Sequence, residues 1–136
     1  MLIGDAHGLP VSAYVASASP HEITLVEETL NASWVAENPK RLIGDKAYDS
    51  DTHDKKLKEE RAIDLIAPNR SNRKTQRKAQ DRRVLRRYRR RWKIERINAW
   101  LQNFRRITIR WEYKTCNYFG FVLLACLIII LRNIDF

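Results

Sequence analysis

The sequence lacks a hydrophobic run long enough to cross a lipid bilayer as a helix. Its main apolar stretch, residues 118–131, has 14 residues, whereas a spanning helix needs about 20. No basic segment followed by an apolar run stands near the N-terminus, so we expect no secretory signal peptide. We therefore predict a cytoplasmic protein without a membrane partner, in which residues 117–132 form a buried C-terminal helix.

Cysteine and histidine are scarce as well. Cys116 and Cys126 have neither CxxC nor metal-ligand spacing, which excludes a thiolate metal site of the common kinds. Both stand in apolar surroundings and are expected to be reduced core residues. The three histidines, His7, His21 and His53, are scattered, and we interpret them as surface or capping residues.

What the sequence has in excess is positive charge. The 136 residues are 44% hydrophobic and 31% charged, which indicates one globular domain with a core. The net charge is +10, and 14 of the 26 lysines and arginines lie between Arg70 and Arg96. Such a run can be a solvated surface. Because Tyr88 and Trp92 are interleaved with it, nucleic acid is the favoured partner.

The longest predicted helix covers residues 81–106, where no glycine or proline occurs. Its apolar residues form two stripes at helical spacing. The first stripe contains Ile94, Ile97, Leu101 and Phe104, and the second contains Leu85, Tyr88, Trp92 and Ala99. Glu95 lies in line with the second stripe. A packed carboxylate needs a partner, which could be Arg91 one turn earlier or a metal ion.

The remaining segments alternate between strands and helices, which favours an α/β sheet covered by helices. A basic arm over residues 69–80 precedes the long helix. The other predicted elements are a hairpin with a shortened first strand (1–3 and 9–16), a helix over 22–33 with Ser19 as its N-cap, strands over 41–45 and 63–67, and a helix over 51–60.

Two carboxylates are candidates for chemistry. Asp45 ends a predicted strand, where open α/β sheets place their sites, although an aspartate that caps the following turn is the alternative. Together with Glu95 it could hold divalent cations, while neighbouring arginines hold phosphates. This combination is the outline of two-metal phosphoryl transfer.

Several stretches resemble the catalytic domain of DDE transposases from bacterial insertion sequences. They are DAHGLPVS, ASASPHE, RLIGDKAYDSD, IDLIAPNRSNRK, RRYRRRWKIERINAWLQNFRR and FGFVLLACLIIILR. Tyr88, Arg91 and Glu95 match the family signature in order and spacing. Gln102 stands where the signature has a lysine, and Arg105 and Arg106 follow nearby.

The resemblance implies an RNase H-like mixed sheet flanked by helices, with an Asp–Asp–Glu triad that binds two Mg²⁺ or Mn²⁺ ions. Asp45 matches the second acid and Glu95 the third. The first acid lies upstream in the family, so residues 1–136 are interpreted as a single, N-terminally truncated catalytic domain. Asp5 matches a turn residue, and its substitution for the first acid stays open.

The same resemblance implies DNA strand cleavage and transfer, with transposon ends and target DNA as partners. A truncated domain is expected to be inactive alone, to require an upstream transposase polypeptide or a homo-oligomer, and to associate with the nucleoid. The candidate DNA-binding residues are Tyr88, Arg91, Arg73, Lys74, Arg77, Lys78, Arg105 and Arg106. Two alternatives stay open: a non-catalytic DNA-binding protein that inhibits or complements full-length transposase, and a basic membrane-associated protein that uses residues 118–131.

Overall fold

The structure, a computed structural model, describes residues 1–71 and 82–134. Four strands and six α-helices follow one another within these ranges. In chain order they are β1 (Leu2–Gly4), β2 (Pro10–Ala13), α1 (Val26–Asn31), β3 (Arg41–Ile43), α2 (Asp51–Arg61), β4 (Asp64–Ile66), α3 (Arg82–Tyr88), α4 (Trp92–Gln102), α5 (Arg105–Thr108) and α6 (Thr115–Arg132). Short 3₁₀ helices cover Glu22–Leu25, Lys46–Tyr48 and Arg89–Arg91.

These elements fall into two units. The terminal unit consists of Met1–Val35 and Trp92–Phe136, and the inserted unit consists of Ala36–Arg91. Within the described ranges there is one antiparallel and one parallel sheet, each with two strands. The predicted mixed α/β class is therefore confirmed.

The terminal unit begins with the predicted hairpin. Strands β1 and β2 are antiparallel, with Ile3 opposite Ser12 and an irregularity before Gly4. The turn between the strands is held by Asp5, whose Oδ1 accepts the backbone N–H groups of His7 and Leu9 at 2.9 and 2.8 Å. Asp5 is thus a turn residue, as its Gly-containing sequence indicates.

The core of the terminal unit lies between the hairpin, α4 and α6. Ile97 and Leu101 of the first predicted stripe are buried, and Ile94 and Phe104 pack beside them. The residues of the cluster that face them are Ala13, Val122, Ala125, Cys126 and Ile129. The helical spacing of the first stripe therefore predicted its packing correctly.

The inserted unit contains a parallel β–α–β arrangement. Strands β3 and β4 pair in register from Arg41 with Asp64 to Ile43 with Ile66. Helix α2 connects them and ends at Ala62, which has the left-handed conformation (φ 57°) typical of a helix C-terminus. The buried apolar side chains described in the inserted unit are those of Leu57, Ile63 and Ile66. A strand on each side of α2 is what the sequence predicted.

Three details of the helices differ from prediction. The helix expected over 81–106 is divided by the 3₁₀ turn Arg89–Arg91 and ends at Gln102. The N-cap of the first helical segment is His21 rather than Ser19. Of the basic arm, residues 72–80 lie outside the described ranges, as does Asp81.

Helix α6 is less buried than predicted. Val122, Ala125, Cys126 and Ile129 face the core, whereas most of the residues between them are exposed. A helix that is apolar on all sides buries only the stripe that meets its neighbours. The expectation that no helix is long enough to span a bilayer was also wrong. With 18 residues, a mean hydropathy of 1.9 and 22% of its residues buried, α6 meets that requirement by length and composition alone. Core helices of soluble proteins meet the same two criteria, so this feature assigns no location.

Candidate active-site residues

Asp45 lies in the inserted unit, two residues after the end of β3 at Ile43. Its Oδ1 accepts the backbone N–H of Ala47 at 2.7 Å and so caps the 3₁₀ helix Lys46–Tyr48. The predicted turn cap is therefore present, and a role of Asp45 as a metal ligand stays a prediction. The side chain is nevertheless 41% exposed. A capping aspartate uses one of its two carboxylate oxygens for the cap, which leaves Oδ2 for another contact.

The second oxygen of Asp45 faces a residue of the transposase-like signature. Arg91 Nη1 lies 4.0 Å from Asp45 Oδ2, and the Arg91 guanidinium lies 5.5 Å from the centre of the Tyr88 ring. Both members of the ion pair are more than a third exposed, so it contributes at most about 1 kcal/mol to stability. Its value is geometric, since it brings two predicted DNA-binding residues beside a predicted catalytic acid.

The turn that carries Asp45 is held by a residue that the sequence did not single out. Arg70 Nε donates to Lys46 O at 2.8 Å, and Arg70 Nη2 donates to Ala47 O. The backbone N–H of Arg70 donates to Asp49 Oδ2 at 2.8 Å. Arg70 stands at the start of the predicted basic arm, where an arginine is one of many, so no signal in the sequence distinguishes it.

Glu95 lies in the terminal unit, in the first turn of α4, and is exposed. The prediction that it sits on a packed stripe was wrong: Trp92 is 50% exposed, and Ala99 is exposed as well. The reason is that α4 meets the core through its first stripe only. An acid in the first helical turn is favourable without burial, because it faces the positive end of the helix dipole.

Trp92 stacks on the arginine of the next turn. The Arg96 guanidinium lies 4.9 Å from the Trp92 ring centre and 4.7 Å from that of Trp100. Arg96 Nη2 donates to His7 O at 2.9 Å, and Lys93 Nζ donates to Ala6 O. These contacts attach the hairpin turn to the helix that carries Glu95.

The two arginines after α4 have different surroundings. Arg105 is exposed, whereas Arg106 Nη1 lies 2.8 Å from Glu112 Oε1 and its guanidinium lies 5.3 Å from the Phe121 ring centre. Desolvation raises the pKa of the Glu112 carboxyl, but the hydrogen bond and the charge of Arg106, together with hydrogen bonds from the backbone of Glu112 and Trp111, outweigh it, so that this pKa lies below its ordinary value. Arg106 is thus paired within the chain, although its side chain is 60% exposed.

The remaining predicted residues divide between core, surface and the undescribed segment. Cys126 is buried and Cys116 is exposed, so the prediction of two core thiols was wrong for Cys116; both are free. Burial raises the pKa of the Cys126 thiol to about 11. The basic side chains of the arm, Arg73, Lys74, Arg77 and Lys78, lie outside the described residues.

The donor chemistry of the acids can be compared with that of a metal site. Asp45 and Glu95 offer exposed carboxylate oxygens, which are ligands suited to Mg²⁺ and Mn²⁺. Within residues 1–71 and 82–134, no three His, Cys, Asp or Glu side chains form a group that could hold a metal ion. Each acid therefore fits such a site as one ligand and does not complete it.

Comparison with known proteins identifies the family of the chain. The family profile described as Transposase DDE domain matches residues 1–130. The putative transposase for insertion sequence element IS402 of Burkholderia cepacia is 27% identical over 136 aligned residues, which include 94% of this chain. The chain spans 60% of the length of that relative. No solved structure matches the chain. Since the profile covers almost all of the sequence, the chain belongs to the transposase DDE domain family.

Proposed function

We propose that the chain forms part of a transposase catalytic domain that cleaves DNA at transposon ends and transfers the strands to a target. The observation that carries this proposal is the contact of Asp45 with Arg91, a residue of the signature that also contains Tyr88 and Glu95. Membership of the family supports it. The fold in this proposal is RNase H-like, with the hairpin in the terminal unit and the parallel β3–β4 pair in the inserted unit.

In this proposal Asp45 and Glu95 are two of the carboxylates that hold Mg²⁺ or Mn²⁺. A cation bound there would activate a water or a 3′-hydroxyl and stabilise the leaving oxygen. Asp45 would ligate through Oδ2, because Oδ1 already accepts the Ala47 N–H. Arg91 would hold the carboxylate, a DNA phosphate, or each in turn. Two carboxylates leave a two-metal site incomplete, so we expect the chain alone to bind DNA and to cleave it poorly.

Positive charge provides the affinity for DNA in this proposal. The net charge of +10 favours the phosphate backbone without reading its sequence. Arg105 is exposed and suited to a phosphate, and the arginines and lysines of the basic arm would add to it. Arg106 would contribute less, because its guanidinium already pairs with Glu112. A further carboxylate would come from an upstream transposase polypeptide or from a second copy of the chain. In this proposal the DNA-bound protein associates with the nucleoid.

The test measures strand transfer after the chain is co-expressed with the polypeptide encoded in the preceding reading frame. The substrates are oligonucleotide duplexes that carry the transposon ends, in Mg²⁺ or Mn²⁺. Asp45→Asn and Glu95→Gln should abolish cleavage and transfer while DNA binding persists. Glu60→Gln removes the same charge from an exposed position of α2 and should leave transfer intact. Transfer that survives in both Asp45→Asn and Glu95→Gln would show that neither carboxylate is catalytic.

A non-catalytic role is the second candidate. The cap that Asp45 provides to the turn Lys46–Tyr48 favours it, because capping needs no metal ion. The chain would then bind DNA and inhibit or complement a full-length transposase. Asp45→Asn and Glu95→Gln would leave that inhibition unchanged, which distinguishes this role from the catalytic one.

A further inference from the structure

The 3₁₀ helix Lys46–Tyr48 is held at both of its ends. At the N-terminal end, Asp45 Oδ1 accepts the Ala47 N–H. At the other end, Arg70 Nε donates to Lys46 O at 2.8 Å and Arg70 Nη2 donates to Ala47 O. Lys46 O also accepts the N–H of Asp49, the C-cap residue, at 3.3 Å, so Arg70 adds a second donor to Lys46 O and supplies a donor to Ala47 O. Arg70 therefore does for the carbonyl end of this turn what Asp45 does for the amide end.

The backbone fixes Arg70 in the same place. Its N–H donates to Asp49 Oδ2 at 2.8 Å, so that a second residue of the turn is attached. Arg70 follows β4, and Gly44, next to Asp45, donates its N–H to Ile66 O of that strand at 3.0 Å. The segment before Asp45 and the segment after it are thus connected to the same neighbouring stretch of chain.

The turn also has little room to rotate. A Cβ at Gly44 would lie 2.8 Å from Cγ of the Tyr48 ring, which is closer than packed carbons approach. The Tyr48 ring therefore covers the backbone just before Asp45. The Tyr48 ring lies against the backbone on one side, and the Arg70 guanidinium binds the carbonyls of residues 46 and 47. These contacts together restrict the main-chain conformation at Asp45.

We infer that Arg70 is a positioning residue for Asp45: by holding the carbonyls of residues 46 and 47, it keeps Oδ1 on the Ala47 N–H and leaves Oδ2 to face a divalent cation. The inference rests on the proposed role of Asp45 as a metal ligand. Arg91 is less suited to this task, because it meets the carboxylate itself at 4.0 Å, whereas Arg70 meets the main chain that carries it.

Mn²⁺ affinity and amide exchange together test this inference in the full chain. Mn²⁺ binding is measured by the electron paramagnetic resonance signal of the free ion, and exchange is measured at the Ala47 amide. Arg70→Gln should weaken Mn²⁺ binding about 10- to 100-fold, the usual effect of losing a residue that orients a ligand, and should accelerate exchange. Arg70→Lys should recover part of the affinity, because lysine can reach one carbonyl but not both.

Two further variants separate the explanations. Arg41→Gln removes the same charge from an exposed position of the inserted unit and should bind Mn²⁺ as the unaltered chain does. Faster Ala47 exchange in Arg70→Gln with unaltered Mn²⁺ affinity would overturn the inference and leave Arg70 a purely structural role. If Asp45→Asn also binds Mn²⁺ normally, or the unaltered chain binds none even together with the polypeptide of the preceding reading frame, the proposed function of Asp45 fails and the inference falls with it. If circular dichroism shows that Arg70→Gln does not fold, Arg70→Lys replaces it in the test. Faster exchange of the Ala47 amide in Arg70→Lys, with unaltered Mn²⁺ affinity, would then overturn the inference.

Discussion

The contact between the hairpin and α4 allows a quantitative test of the packing that supports Glu95. A Cβ added at Gly4 would lie 2.5 Å from Ile97 Cδ1 and 3.7 Å from Ile94 Cδ1. The terminal methyl of a side chain often moves aside, but Ile97 is 0% exposed. Gly4→Ala must therefore displace either an enclosed isoleucine or the strand itself.

The expected cost follows from two opposing effects. Overpacking of a filled core costs about 1–3 kcal/mol. Alanine also restricts the unfolded chain more than glycine does, which returns about 0.4–1 kcal/mol, and Gly4 has no positive φ that would forbid alanine. We expect Gly4→Ala to lower the free energy of unfolding by about 1 kcal/mol, the difference between the mid-range values of these two contributions.

A second substitution identifies the contact. Ile97→Val removes Cδ1 and should cost about 0.5–1.5 kcal/mol by itself. In the double variant the methyl group introduced at position 4 occupies the space that Cδ1 has left. The combined loss should thus be about 1 kcal/mol smaller than the sum of the single losses, a coupling typical of residues in contact.

Urea unfolding followed by tryptophan fluorescence measures these differences. Gly120→Ala in α6 is the matched control, because no atom lies within 4 Å of its Cβ position. It should stabilise the helix by up to about 1 kcal/mol. The packing argument is refuted if Gly4→Ala behaves like Gly120→Ala, or if the two substitutions at residues 4 and 97 add to within about 0.5 kcal/mol.

Two other predictions concern titratable side chains. Burial raises the pKa of the Cys126 thiol to about 11, against an ordinary 9.0, so that at pH 8 its thiolate is about 100-fold rarer than that of an ordinary cysteine. Iodoacetamide should therefore label the native chain at Cys116 only. Equal labelling of both cysteines would contradict the burial of Cys126. The pKa of Glu112 is lower in the folded chain than its ordinary value of 4.5. The pair with Arg106 therefore stabilises the fold fully at pH values above 4.5, and this stabilisation is lost as the pH falls through the pKa of the folded state. The difference in urea midpoint between the unaltered chain and Glu112→Gln should accordingly shrink from pH 7 to pH 3, and a constant difference would refute the assignment.

Local patterns in the sequence were sufficient to predict most elements of the fold. The hairpin, the β3–α2–β4 succession and the apolar stripe of α4 were each predicted from a handful of neighbouring residues. The physical reason is that turn chemistry and hydrophobic periodicity act over one or two turns of chain. The family signature, too, is a matter of spacing along one segment, and its family is confirmed.

Which stripe becomes buried was not contained in the sequence. Two stripes of the long helix have similar apolar content, and only the arrangement of α6 and the hairpin decides that Ile97 is covered while Trp92 stays half exposed. The same holds for α6, whose apolar residues cannot all face one core. It also holds for Cys116, which was predicted to be buried from its apolar sequence neighbours but is exposed. Burial depends on what packs against a surface, and the residues of the surface do not specify that alone.

The environment of Asp45 shows the same division at the candidate site. The sequence by itself determined that an aspartate follows a strand and can cap a turn, because that chemistry involves residues two positions apart. Only the tertiary structure decided that Arg70, 23 and 24 residues away, would hold the carbonyls of the turn, and that Arg91 would meet the second oxygen. Residues so far apart become neighbours only when β4 pairs with β3, since strand pairing brings together segments whose sequences carry no mark of each other.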